Sequence, residues 1–333
     1  MLILCTVLHF SVDGVCGAVL AEYAVHEEIF SRVVYYFGLY SLIAFGFQWL
    51  TGLILDRRKD FLIYALILAP VFLASGMISG LGIFWQAVLL GIGNCFFHVS
   101  AGILILERYN HFREPGIFVS SGALGLALGL QEYVSAFTFE IICAVFTFIA
   151  VIYALKYPAE SDSESHNASE SVNMACLIAG ALMLLLCVIL RGFGGSSHVP
   201  EYILLMPCVF VLGKSFGGIL CDALGWRKTI LAIFILSFLA LQIPGITGTV
   251  ILTFAFNMTM PLTLRLLHIY FPEFPGLTFG LAAGCLLPGA FYGKYFSIPA
   301  EIMILIQFLG LFVAGFIFIR YGKDGRFSFT RQY

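Results

Sequence analysis

Stretches of about twenty apolar residues, each closed by a charge, a proline or a glycine, follow one another along this chain almost without interruption. A stretch of that length crosses roughly 30 Å of hydrocarbon as a helix. With no water to satisfy the backbone there, only helices and closed barrels can span, and long runs without polar alternation read as helices. The composition agrees: of 333 residues 61% are hydrophobic and 11% charged, where soluble domains carry about 25% charge. A water-soluble fold is excluded. With 17 basic against 19 acidic residues, so is a nucleic-acid binder, which needs a positive footprint for phosphates.

The runs read as spans over 1–24, 34–55, 61–79, 82–106, 115–133 and 135–157, then 174–193, 201–221, 229–247, 249–267, 275–295 and 299–320. Between the sixth and seventh lies Pro158 to Asn173, whose Ser, Glu and Asp content cannot bury a core. The expected fold class is an all-α membrane protein with twelve transmembrane helices as two six-helix repeats. Residues 1–157 form one bundle, 158–173 a linker, and 174–333 a second bundle with a short tail. The first run lacks a basic n-region and a clean cleavage site, and Asp13 interrupts it, so it is expected to be a retained helix. The nine cysteines lie inside apolar runs without a C-x-x-C pair, which implies neither a disulfide framework nor a zinc site.

Thirteen of the 17 basic residues fall on one side of this arrangement, all but Arg32, Arg191, Lys214 and Lys294. The positive-inside rule makes that side cytoplasmic, with both termini and the linker. The halves also echo each other. The second span ends in Gly52-x-x-x-Asp56-Arg57-Arg58-Lys59, and the eighth in Gly218-x-x-x-Asp222-x-x-Gly225-x-Arg227-Lys228. Pro115-Gly116 and Pro275-Gly276 open the fifth and eleventh. Parallel six-helix repeats are a transporter architecture, with a site near the midplane between the halves.

The doubled Gly–Asp–basic pattern resembles the loop signature of the major facilitator superfamily, G-x-x-x-D-R/K-x-G-R/K-R/K. Gly218, Asp222, Gly225, Arg227 and Lys228 carry it in the second copy; Gly52, Asp56, Arg57 and Arg58 carry it in the first, which lacks the internal glycine. Leu8-His9-Phe10-x-x-Asp13 and Gly93-Asn94-x-x-Phe97-His98 are similar to the fosmidomycin-resistance-like drug exporters of that superfamily. In the fifth span Gly116, Gly122, Gly125 and Gly129 supply small-residue spacing for close helix approach. The resemblance implies alternating access. The Gly–Asp–basic loops then act as a gate latch, each carboxylate meeting basic residues or a helix terminus in one state.

A charge at membrane depth costs roughly 2.5–3.5 kcal/mol and calls for a reason. Asp13 stands near the middle of the first span, with His9 one turn earlier on the same face. They are either a proton-coupling pair or a packing hydrogen bond. Lys214, just past the middle of the eighth span, wants a carboxylate such as Asp13 or an anionic solute; the alternative is snorkelling across two turns. Arg191 is an anion guide or outer latch, or else an interfacial anchor. Asn94 and His98 share a face of the fourth span and Asn257 lies in the tenth, as cavity residues or as buried hydrogen-bonding groups. The expected substrate cavity is thus Lys214, Asn94, His98, Arg191 and Asn257.

No G-x-x-x-x-G-K-[ST] loop is present, so the chain is not expected to hydrolyse ATP, and no cofactor or metal is implied. The expected function is secondary active transport of a small organic solute by proton-coupled export, by a monomer in the bacterial inner membrane. Its expected partners are the solute, protons and the lipid bilayer. Proton-coupled import of an anionic metabolite, bound by Lys214 and Arg191, is the alternative, and a non-transporting membrane sensor is a third reading. A membrane-embedded enzyme would need a catalytic set in loops that are here too short.

Overall fold

The computed structural model describes residues 1–26, 30–78, 80–158, 174–194, 203–293, 295–296 and 298–321. The linker beyond Pro158, the loop after Gly194, Lys294 and the tail from Gly322 lie outside them.

The described residues form twelve helical spans. In the first half α1 is Leu2–His26, and α2 runs Phe30–Ser41, through a π turn at Leu42–Gly46, into Gln48–Arg57. Then follow α3 (Leu62–Gly76), α4 (Ile83–Arg108), α5 (Arg113–Leu130) and α6 (Ala136–Lys156). The second half holds α7 (Met174–Gly194), α8 (Leu205–Leu224), α9 (Trp226–Ala240), α10 (Gly245–Tyr270), α11 (Pro275–Gly284 and Leu286–Tyr292) and α12 (Ala300–Tyr321). Ten spans are long and apolar enough to cross a membrane. The other two are α5, which opens on Arg113 and Glu114, and α9, with 15 residues. Large apolar side chains face outward; Phe137, Phe148 and Leu155 are 67%, 68% and 66% exposed. Helices apolar all round need lipid or a large core to cover them. The chain is a multi-pass membrane protein.

The helix ends depart from expectation mainly in the second half. The ninth span stops at Ala240 and the tenth starts at Gly245. Pro244 has no N–H to continue the ladder and disfavours helical backbone at Ile243, while Gly245 turns the chain at φ 73°. The tenth helix then continues to Tyr270. Arg265, read from the sequence as one of the basic residues near the membrane surface, is fully buried instead: its Nη1 donates to the Leu106 carbonyl (3.2 Å) and its Nη2 to Asn110 Oδ1 (3.0 Å).

The halves meet along two pairs of helices, α2 with α11 and α5 with α8. Glycines make both contacts close. A Cβ on Gly52 would strike the Gly276 carbonyl, and one on Gly280 the backbone of Gln48; one on Gly218 would strike Phe112 and Arg113, and one on Gly116 the Lys214 carbonyl. Within the first half, Gly125 and Gly129 bring α5 onto the α1 backbone in the same way. Gains of this kind suit a membrane, where helices associate through packing rather than through expulsion of water.

Candidate functional site

At the basic end the two Gly–Asp loops work reciprocally. Asp56, at the end of α2, accepts the N–H of Gly276 on Oδ1 and of Leu277 on Oδ2, both at 2.8 Å. Asp222, at the end of α8, accepts the N–H of Phe112 (2.9 Å) and of Arg113 (3.0 Å). Each carboxylate therefore caps the N-terminus of a helix in the other half, α11 or α5, meeting orphan donors and the positive end of the helix dipole. The glycine four residues earlier admits the backbone that the carboxylate binds. The basic residues take no part in the caps: Arg58 pairs with Asp60 at 3.3 Å, Arg227 lies over the Trp226 ring at 5.5 Å, and Arg57 and Lys228 are exposed. Gly225 turns the chain into α9 at φ 80° with nothing near it; the first copy makes its turn at Arg58 with φ −129° and needs no glycine.

At mid-depth the first half holds a closed polar cluster. His98 and Lys214 stand ten residues from the basic ends of α4 and α8, and Asp13 eleven from the start of α1. At about 1.5 Å per residue that is roughly 15 Å, half the hydrocarbon thickness. Asn94 Nδ2 donates to Asp13 Oδ1 at 2.9 Å. His9 Nε2 is 3.3 Å from Asp13 Oδ2 and 2.8 Å from His98 Nε2, and His98 Nε2 is 3.7 Å from Asp13 Oδ1. His9 Nδ1 bonds the Phe118 carbonyl on α5 (2.8 Å), and His98 Nδ1 the Asn94 carbonyl (2.9 Å). All four side chains are buried. Gly122 of α5 closes the lid: a Cβ there would overlap both Asp13 Oδ2 and His9 Nε2.

The second half offers cations instead. Arg191 is 4% exposed, so it is not an interfacial anchor. Its Nη1 donates to Thr263 Oγ1 (3.2 Å) and Thr259 Oγ1 (3.4 Å), and its buried Nη2 has no acceptor among the described residues. Lys214 Nζ crosses to the other half and donates to the Val119 carbonyl at 3.2 Å. It feels the charges of Arg191 and Asp13. Asn257 turns elsewhere: it packs against Gly213 and donates to the Thr253 carbonyl of its own helix at 2.9 Å.

From the sequence His98 and Asn94 are cavity residues or buried hydrogen-bonding groups, apart from His9 and Asp13; the fold joins all four. Sequence reasoning missed the Phe118 and Val119 carbonyls, which no side-chain pattern reveals, and the Arg265 clamp. His9, Asp13 and His98 present ligand atoms within 4.8 Å of one another. A divalent ion there would have one carboxylate to answer it, with Lys214 nearby as a further positive charge.

Two six-helix halves, joined through α2–α11 and α5–α8, decide the architecture, and solved structures share the overall fold. A major facilitator superfamily transporter, FucP, in the outward conformation aligns with a TM-score of 0.60 at 12% identity, covering 95% of this chain and 98% of that one. The chain has the major-facilitator fold. The proton:xylose symporter XylE, bound to 6-bromo-6-deoxy-D-glucose, gives a TM-score of 0.60 at 13% identity, covering 96% and 94%. A bacterial homologue of the iron transporter ferroportin, in its outward-facing state, gives 0.55 at 13% identity, covering 96% and 98%. No protein-family model matches the chain, and no curated protein matches it.

Proposed function

We propose that this protein is a secondary transporter that moves a small organic anion by alternating access, coupled to protons at the His9–Asp13 site. One observation carries the reading. Buried ionisable groups stand on both sides of the interface between halves, a neutralised acid–base cluster in one and the cations Lys214 and Arg191 in the other. Such groups in a membrane are costly and mark solute and ion pathways. Arg191, buried with an idle Nη2 among the described residues, favours a negatively charged solute, because a guanidinium binds carboxylate or phosphate with paired donors.

The reciprocal caps hold the basic end shut. With that end in the cytoplasm, as the positive-inside rule has it, the conformation is one closed to the cytoplasm. The resemblance to fosmidomycin-resistance-like exporters rests on His9, Asp13, Asn94 and His98, the four residues of the cluster, and it supports export; uptake of an anionic metabolite would use the same groups.

The test is a panel of small organic anions, cations and neutral solutes screened for thermal stabilisation of the purified chain, since a ligand of the folded state raises its stability. An organic anion should stabilise the protein, Arg191→Gln should abolish the effect, and a pH gradient should drive that solute into liposomes. Stabilisation by neutral or cationic solutes alone, unchanged in Arg191→Gln, would overturn the reading.

A further inference from the structure

The hydrogen-bond partners within the cluster allow its protons to be counted. A carbonyl oxygen only accepts, so His9 Nδ1, 2.8 Å from the Phe118 carbonyl, carries a proton. So does His98 Nδ1, 2.9 Å from the Asn94 carbonyl. A neutral imidazole has a single N–H. Were both rings neutral, both Nε2 atoms would be bare lone pairs, yet they face each other at 2.8 Å. Two acceptors do not meet at hydrogen-bonding distance. One additional proton lies between them.

With that proton on His9 Nε2, both Asp13 oxygens face donors, as suits a carboxylate. Its Oδ1 accepts from Asn94 Nδ2 at 2.9 Å, and its Oδ2 faces His9 Nε2 at 3.3 Å. A proton on His9 Nε2 reaches two acceptors, His98 Nε2 and Asp13 Oδ2. On His98 Nε2 it would reach one, with the nearer Asp13 oxygen at 3.7 Å.

We infer that the coupling proton resides on the His9–His98 bridge, shared along the Nε2···Nε2 contact between α1 and α4, with Asp13 as its fixed counter-anion. The inference rests on the proton-coupled reading for the proton's role and on the geometry alone for its position. Loaded, the triad is neutral: one imidazolium, one neutral imidazole, one carboxylate. When the proton passes to water, two neutral rings and a carboxylate remain, the charge is −1, and the facing lone pairs must part. His9 is a proton-binding residue, and His98 is its proton-sharing partner rather than a solute contact.

The surroundings link this step to the other half. The carbonyl next to the one that orients His9 is that of Val119, which holds Lys214 Nζ at 3.2 Å. Losing the proton leaves Asp13 unbalanced near Lys214, a cation that reaches across the interface at this depth. Lys214 of α8 also faces His98, Tyr40 of α2 and Cys16 face the Asp13–Asn94 side, and Glu140 of α6 lies beyond Cys16. Among the described residues, α3 and α5 bring no ionisable group to the cluster. A divalent metal in place of the proton would add to the positive charge that Lys214 already imposes; a proton leaves the triad neutral.

The test needs neither solute nor gradient. In the full chain, histidine-labelled with nitrogen-15 and held in lipid nanodiscs, NMR should show through-hydrogen-bond coupling between two imidazole nitrogens. That coupling should vanish in both His9→Gln and His98→Gln and survive Lys214→Gln. Because the first measurement is on the unaltered protein, poor folding of a variant does not blunt it. Two uncoupled neutral rings throughout pH 5 to 9, or a proton found on the Asp13 carboxyl, would overturn the inference. So would stoichiometric Co²⁺ binding with a ligand-field spectrum that His98→Gln abolishes. A bridge seen in a chain with no proton-driven flux upholds the proton's position and removes the transport reading. Flux without the bridge does the reverse.

Discussion

The two halves share a fold but fill their centres differently. In the first, the ionisable groups are satisfied by one another: Asp13, His9, His98 and Asn94 close a ring of hydrogen bonds under Gly122. In the second, the partners of Arg191 among the described residues are the hydroxyls of Thr259 and Thr263, which already donate to their own helix. Lys214 turns to a carbonyl of the opposite half. The one atom of the cluster left without a partner among the described residues is an acceptor, Asn94 Oδ1, which cannot bind an anion, whereas the idle Nη2 of Arg191 is a donor and can. The division suggests that ion and solute are handled by different halves and meet through Lys214.

The substitution that breaks this contrast most severely is Asp13→Asn. It removes the only anion of the cluster, so pH-gradient-driven flux into liposomes should fall below detection while protection by bound solute persists. Were Asp13 there only to neutralise Lys214, the double change with Lys214→Gln would restore the flux; we expect it not to. Next is Gly122→Ala, which forces a methyl group onto Asp13 and His9. Overpacking of this kind costs about 1–3 kcal/mol, read as a lower denaturation midpoint, against less than about 0.5 kcal/mol for the unhindered Gly82→Ala.

In the other half, Arg191→Gln should weaken solute binding by roughly 10- to 100-fold, the worth of about 1.5–3 kcal/mol of charged hydrogen bonding. It should leave the histidine NMR signals of the first half unchanged. A comparable change in those signals would show one site rather than two.

The basic end supplies a smaller test, since its two caps are near copies. Asp56→Asn and Asp222→Asn should each shift the gate by about 1–2 kcal/mol, because an amide cannot accept both N–H groups on charged oxygens. Spin labels at Asp60 and Lys228, exposed on opposite halves, should report a longer, broader distance in each variant and the longest in the double variant. Equal distances throughout would remove the latch. The mildest perturbation is Asp60→Cys in a cysteine-free background: impermeant reagent added outside intact cells should not label it if the basic end is cytoplasmic.

Much of this was legible beforehand because bilayer physics acts on composition. The need to bond every backbone group within a span makes apolar run length nearly equivalent to helix count, and all twelve spans lie where the runs do. The doubled Gly-x-x-x-Asp pattern also marked both loops, leaving basic residues or a helix terminus as partners for each carboxylate. The sequence could not say that the partner would be a helix end in the other half rather than the adjoining Arg57, Arg58, Arg227 and Lys228. Basic side chains next to a carboxylate in sequence are equally next to water, where an exposed pair gains little.

What the sequence by itself determined is therefore the membrane class, the twelve spans, the twofold repeat and the list of ionisable residues that needed a reason to be buried. The tertiary structure decided which of them touch. His9 and His98 are 89 residues apart and meet at 2.8 Å; Arg191 meets Thr263 from 72 residues away; Arg265 left the basic surface to clamp α4. Hydropathy is a property of single segments, so one chain can be read for it span by span. Which face of a helix meets which neighbour depends on how glycines let the backbones approach, and which proton sits where depends on carbonyls that every sequence contains and none marks.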